Sequence, residues 1–257
     1  MSSIITQLFV HPVKGLTPQA ETLVTLQAGH GVLGDRAFAL MYDASASSNS
    51  HVVPWMQKRN FAMQCDLPGL AALDCYYDFK TELLTIKHKG KELLIAKTNS
   101  EERHLISVFF TGYLATELKS PLRLVGENDG KTRYPDRHTA HISLINQATL
   151  DQLSDIARQP VDIQRFRPNI VFKGIPAWAE FDWIGQVFQL GSVQIEITAP
   201  INRCLNIDVN PKTGEQDLPL LSLLQQHFHH RQTGVLAKVI TSGIVAVGDR
   251  LQPLNLN

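Results

Sequence analysis

Cysteine is scarce in this chain: three in 257 residues, at Cys65, Cys75 and Cys204. An odd, low count does not suit a secreted disulfide scaffold and points to a reducing, cytoplasmic setting. A charge excess is missing as well, since 24 Lys+Arg face 24 Asp+Glu. General binding of nucleic acid or of an anionic membrane requires a basic surplus, so neither partner is expected and any anion site must be local. No window reaches the roughly 18–20 apolar residues of a membrane helix. The opening MSSIITQLFVHPVKGL lacks the basic start and long apolar run of a signal peptide. Also absent are GxxxxGK(S/T), HExxH, GxSxG and paired catalytic carboxylates, which removes the usual signatures of phosphate loops, zinc proteases and serine hydrolases.

The residues present belong to an ordinary globular protein, 44% hydrophobic and 19% charged. A chain of this length buries roughly 70–75% of its unfolded surface, enough for one large or two modest cores without staples. Short β-branched or aromatic runs dominate the first hundred residues: ITQLFVHPV, ETLVTLQA, RAFALMYD, AALDCYYD, ELLTIKH and KELLIAK. The Ser/Ala stretch from Asp43 to Ser50 reads as a hairpin loop between RAFALMYD and VVPWMQKR. Helical spacing marks 101–118, then 146–158 with Asn146 as N-cap, then 218–231. Strands resume in RPNIVFKG, WIGQVFQLG, SVQIEITAP, GVLAKVIT and GIVAVGDRL. The expectation is an α+β, mostly β protein. Residues 1–100 would form an N-terminal β-barrel-like domain, 101–122 a helical connector, and 123–257 a second β-barrel with a few helices.

Several motifs have bland explanations. Gly29-His-Gly31-Val-Leu-Gly34 matches GxGxxG but leads into a strand instead of a helix, so its glycines are assigned to a turn rather than a dinucleotide site. His227, His229 and His230 lack the i, i+4 spacing of a helical zinc pair, and His138 with His141 has no partner set either. Cys75 alternates with Leu73 and reads as a small core residue, and Cys65 reads as packed near a strand end. Cys204 stands apart on the polar loop INRCLNID beside Arg203, where a neighbouring cation should lower its pKa and make it a nucleophile or soft-metal ligand. Lys14, Arg36 and Arg167 each sit at a strand end, where together they can cradle a phosphate.

The order of these blocks carries more information than any one of them. HPVKGL, GDRAFAL, QRFRPNIVFKG, AWAEFDWIG, INRCLNIDVNPKTGE and SGIVAVGD run nearly end to end along the chain. The sequence resembles the MOSC (molybdenum cofactor sulfurase C-terminal) proteins that also carry the associated N-terminal β-barrel domain. The similar branch is that of the mitochondrial amidoxime-reducing component and bacterial N-hydroxylamine reductases. This resemblance implies that Cys204 ligates molybdenum of a molybdopterin cofactor. It further implies that Lys14, Arg36, Thr139, Arg167, Asn169, Asn202 and Arg203 contact the pterin and its phosphate. Three positions depart from the family pattern: Gly15 for Ser, Ala140 for a second hydroxyl, and Asn210 for Asp in the DPxTG turn.

The activity implied is reduction of N-hydroxylated substrates (hydroxylamines, amidoximes, N-hydroxylated bases) to amines. Three cysteines do not make the four-Cys plant-type [2Fe–2S] site, so electrons are expected from a separate ferredoxin, flavoprotein or cytochrome-type donor. The alternative implied is a sulfur carrier or cofactor-binding protein that uses a Cys204 persulfide without reductase activity.

Overall fold

The computed structural model describes residues 3–46, 49–137 and 141–254. Seven strands close a barrel: β1 (Ser3–Val10), β2 (Ile142–Asn146), β3 (Ile170–Lys173), β4 (Val187–Leu190), β5 (Val193–Asn202), β6 (Gln232–Val239) and β7 (Arg250–Pro253). Hydrogen bonding runs β3–β2–β6–β5–β4–β7–β1 and returns to β3. An odd ring cannot alternate direction all the way round, and the parallel pair this demands is β2 with β3. Parallel neighbours need a long crossover. Among the helices α1 (Arg103–Tyr113), α2 (Gln147–Ala157) and α3 (Leu220–Phe228), α2 supplies it.

Period-two alternation fills the barrel. Ile142 and Leu144, Ile170 and Phe172, and Val193, Ile195 and Ile197 point into one buried cluster. Ile145 and Val171 point the other way, into a second cluster with Leu150, Leu153, Leu220 and Leu224 of α2 and α3. Strands β2 and β3 are therefore apolar on both faces, as a sheet covered by helices requires. The Asn146 side chain accepts the Ala148 N–H at 3.2 Å, so the expected N-cap is in place.

The remaining strands form smaller sheets. Val13–Lys14, Phe38–Tyr42 and Leu122–Gly126 make one, and Leu73–Asp78, Leu83–His88 and Lys91–Lys97 another. With α1 they enclose a separate core around Leu16, Phe38, Leu40, Leu70, Tyr77, Ile106 and Phe110. Leu23–Gln27 pairs with Gly31–Val32 and with Gly243–Ala246 near the far end of the chain. The α+β, mostly β class is what the chain adopts, but strand pairing does not follow linear order. The N-terminal β1 is a stave of the same barrel as β7.

One local expectation is corrected, and two further strands appear. VVPWMQKR forms no strand; it lacks ladder pairing, and Lys58–Asn60 makes a short 3-10 turn. Pro54 removes a ladder donor from that stretch, which suits loop rather than sheet. Strands also form at Leu122–Gly126 and β2, whose five-residue lengths give little periodic signal.

Candidate active site

A cavity of about 190 Å³ opens between the barrel and the smaller unit. Its wall combines Arg167 and Asn169 from the lead-in to β3, Asn202, Arg203 and Cys204 from the exit of β5, Arg36, and Lys58 with Cys65 from the smaller unit. Six of the sequence-assigned residues thus line one cavity: Arg36, Arg167, Asn169, Asn202, Arg203 and Cys204. Lys14 lies behind the wall, 2% exposed, where it donates to the Tyr134 carbonyl at 3.1 Å and pairs with Asp136, itself on the wall. Thr139, with His138 and Ala140, lies outside the described residues.

The cationic end is built around Asp35, which sequence reasoning passed over. Its side chain is 1% exposed. One oxygen accepts the His11 backbone N–H at 2.9 Å and Asn169 Nδ2 at 3.0 Å, and the other pairs with Arg36. Burial alone would raise the Asp35 carboxyl, yet Arg36 and the His11 hydrogen bonds hold it well below the usual carboxylate range. His11 is correspondingly pushed down to about 3, first by burial and then by the charges of Arg36 and Arg167. It is a neutral ring inside a cationic patch. Arg167 is lowered to about 10 by burial and by Arg36. Both arginines are left-handed, with φ of 55° for Arg36 and 52° for Arg167, a conformation uncommon outside glycine and characteristic of constrained sites. Arg167 is anchored through Nη1 to the Leu16 carbonyl at 2.6 Å. Among the described residues, the carboxylates acting on Lys14, Arg36 and Arg167 are those of Asp35 and Asp136. The local surplus is positive although the chain as a whole is neutral.

Gly15 belongs to this construction. Its φ is +86°, and a Cβ there would run into the Ala62 carbonyl oxygen. The departure noted in the sequence therefore has a steric reason, because a side chain is excluded where Lys14 turns into the smaller core. Gly34 is likewise left-handed at +80° and faces the Phe79 ring, which confirms the turn assigned to GxGxxG.

At the other end Cys204 is exposed and its pKa is lowered to about 6. Arg203 is not the principal cause. Its guanidinium turns inward, donates to the Phe166 carbonyl at 2.8 Å and to the Thr233 carbonyl, and lies 5.3 Å from the centre of the Phe166 ring. Burial lowers it to about 9. The thiolate is stabilised mainly by a hydrogen bond from the Cys65 thiol, with the Asn206 N–H and the Lys58 charge adding to it. Cys65 is raised in turn by the same bond and by burial. The packed role expected of Cys65 is overturned: it is half-buried and shares the cavity wall with Cys204. Cys75 is buried, as expected, with its thiol pushed up to about 12 by burial.

Sequence reasoning also missed Arg133, lowered to about 10 by burial, and Asp136 and Lys58 on the same wall. None stands in a pattern that marks it. No group of three or more His, Cys, Asp or Glu able to hold a metal occurs among the described residues. His141 instead accepts the Val239 N–H through Nδ1 at 2.9 Å.

The site is an exposed thiol at one end of a cationic cavity on a closed barrel. Comparison with known proteins gives the family. The MOSC domain model matches residues 129–252. Mitochondrial amidoxime-reducing component 1 of Homo sapiens is 30% identical over 233 residues, 82% of this chain and 67% of the human protein. The Xenopus laevis protein of the same name is 35% identical over 81 residues, so the match spans 32% of this chain and about a fifth (22%) of the relative's length. Among solved structures, the YUAD protein from Bacillus subtilis aligns over 98% of this chain and 96% of its own at 10% identity and a TM-score of 0.47. The chain belongs to the MOSC-domain family that includes the mitochondrial amidoxime-reducing components. No helix among the described residues is long and apolar enough to cross a membrane.

Proposed function

We propose that this protein is a molybdenum-cofactor oxidoreductase that reduces N-hydroxylated compounds to amines, using electrons from a donor outside these 257 residues. The observation that carries this reading is one cavity with Cys204 at one end and Arg36 and Arg167 at the other. The donor set suits such a group. A thiolate is a soft-metal ligand, and half-buried arginines in a locally positive patch suit a phosphate tail.

Cys204 would hold the metal, Arg36 and Arg167 the anionic tail, and Asn202 the cofactor between them. Lys14 joins them once Asp136 releases it. When bound, the cofactor supplies two-electron reduction of the N–O bond. The protein's own part is placement. Arg203, locked onto the Phe166 and Thr233 carbonyls, fixes the backbone that presents Cys204. Asp35 holds Arg36 and Asn169 in position before anything binds. Because Cys204 is exposed, the two protons needed to turn a hydroxylamine into amine and water are taken from solvent. We further assign the cofactor unit to residues 123–257, closed by β1, and one cavity wall, with Arg36 and Cys65, to the rest of residues 1–100, and we place the protein in a reducing cytoplasm, which suits three free thiols.

The test is metal analysis of protein produced in a host that makes the cofactor, with a hydroxylated purine and an artificial one-electron donor as the activity assay. Stoichiometric molybdenum that is lost in Cys204→Ser, together with amine formation, is expected. Cyanide-labile sulfur on Cys204 without molybdenum would establish a persulfide carrier and overturn the reductase.

A further inference from the structure

We infer that Cys65 and Cys204 are a dithiol–disulfide couple, a covalent modification site that caps the cavity thiol when the protein is empty and meets a disulfide oxidant. The two cysteines are 139 positions apart in the chain, yet both line the one cavity, and the Cys65 thiol is the main group acting on the Cys204 sulfur. Independent contacts hold the two loops together. Asn206 Nδ2 donates to Gln64 Oε1 at 3.3 Å, and Gly214 packs against the Pro68 carbonyl closely enough that a Cβ there would meet it at 2.8 Å. Gln64 is buried, so the segment bearing Cys65 is anchored from below while its neighbour faces the cavity. Cys204 is the exposed member and the point of attack; Cys65, half-buried behind it, is the resolving thiol.

The chemistry balances with a low-molecular-weight disulfide as oxidant. The Cys204 thiolate attacks one sulfur of oxidised glutathione, forming a mixed disulfide and expelling a glutathione thiolate, which takes the Cys65 proton. The Cys65 sulfur then attacks Cys204 and expels the second glutathione as thiolate. Two protein thiols are oxidised and one glutathione disulfide is reduced. The consequence for loading rests on the proposed role of Cys204: a sulfur held in a disulfide is no longer a thiolate and is a poor metal ligand, so reduction must precede cofactor binding.

Reduced, metal-free full-length protein is treated with oxidised glutathione without oxygen, alkylated, and cleaved at aspartates without reduction. Asp66 and Asp74 lie between Cys65 and Cys75, so the fragments of the two are distinct. The expected product joins fragment 43–65 to fragment 182–207 with the loss of two hydrogens, while Cys75 stays a free thiol. Cys65→Ser is expected to stop at a stable glutathione adduct on Cys204, and Cys75→Ser to leave the cross-link unchanged. A stable adduct on wild-type Cys204 with Cys65 free overturns the couple, and this reading does not depend on whether any variant folds. Protein co-produced with the cofactor separates the two ideas. A cross-link that forms equally in loaded protein sinks the metal-ligand role and leaves the couple standing. Protection of Cys204 in loaded protein, with no cross-link in the empty form, sinks the couple and leaves the role intact.

Discussion

The two ends of the cavity are built on opposite principles. The cationic end is held from within: Asp35 accepts from His11 and Asn169 and pairs with Arg36, and Arg167 is tied to the Leu16 carbonyl. The sulfur end is open, with Cys204 exposed and Leu205 51% exposed beside it. Recognition of an anion gains from donors fixed before binding, because no reorganisation is then needed. A reacting sulfur needs access, and access excludes the same degree of packing. Disturbing the first end should therefore register in folding, and disturbing the second in chemistry.

The largest effect expected is chemical. Cys204→Ser should remove bound molybdenum and reductase activity to background while leaving the thermal midpoint within a degree or two, as expected of an exposed position. Metal analysis and a melting curve on the same preparation check both halves; a large drop in the midpoint would break the contrast. Asp35→Ala should do the reverse. Removing one partner from a buried charge cluster costs about 3–5 kcal/mol, and denaturant unfolding should show a loss of that size. Gly15→Ser forces a side chain into a left-handed position against the Ala62 carbonyl and should cost about 1–3 kcal/mol. A stable variant would show that the smaller core yields there.

A pH titration sharpens the comparison further. His11 has a folded-state pKa of about 3, below the 6.5 it has when unfolded. As pH falls from 6.5 towards 3, the unfolded chain binds a proton that the folded chain refuses, so stability falls by up to about 1.4 kcal/mol per pH unit. Asp35, also lowered, adds loss in the same direction below its ordinary range. In His11→Asn the slope between pH 6 and 4.5 should flatten; an unchanged slope would place the titrating group elsewhere. The smallest effect belongs to Asp136→Asn. This residue is 56% exposed but its partner Lys14 is only 2% exposed; Asn keeps a hydrogen-bond acceptor and loses the charge, so stability should fall by about 1–2 kcal/mol. Affinity for inorganic pyrophosphate should rise, since Lys14 is then without its charged partner; unchanged affinity would remove Lys14 from the cradle.

Much of this was legible along the chain. SVQIEITAP alternates and becomes β5, NQATLDQLSDIAR carries its own cap and becomes α2, and Cys204 lies on the polar loop that its neighbours implied. The misjudged cause of the Cys204 shift is instructive. Arg203 is adjacent in sequence, but its guanidinium satisfies backbone carbonyls inside the fold, and the stabilising donor is Cys65, 139 positions away in the chain.

What the sequence by itself determined is what lies within one turn or one strand: alternation, caps, turn glycines and the residue types able to bind a soft metal or an anion. Only the tertiary structure decided that β1 closes against β3 and β7, that Asp35 gathers His11, Arg36 and Asn169, and that two distant thiols meet. Those pairings join segments far apart in the chain. Their selection by shape and burial leaves no periodic trace in either partner.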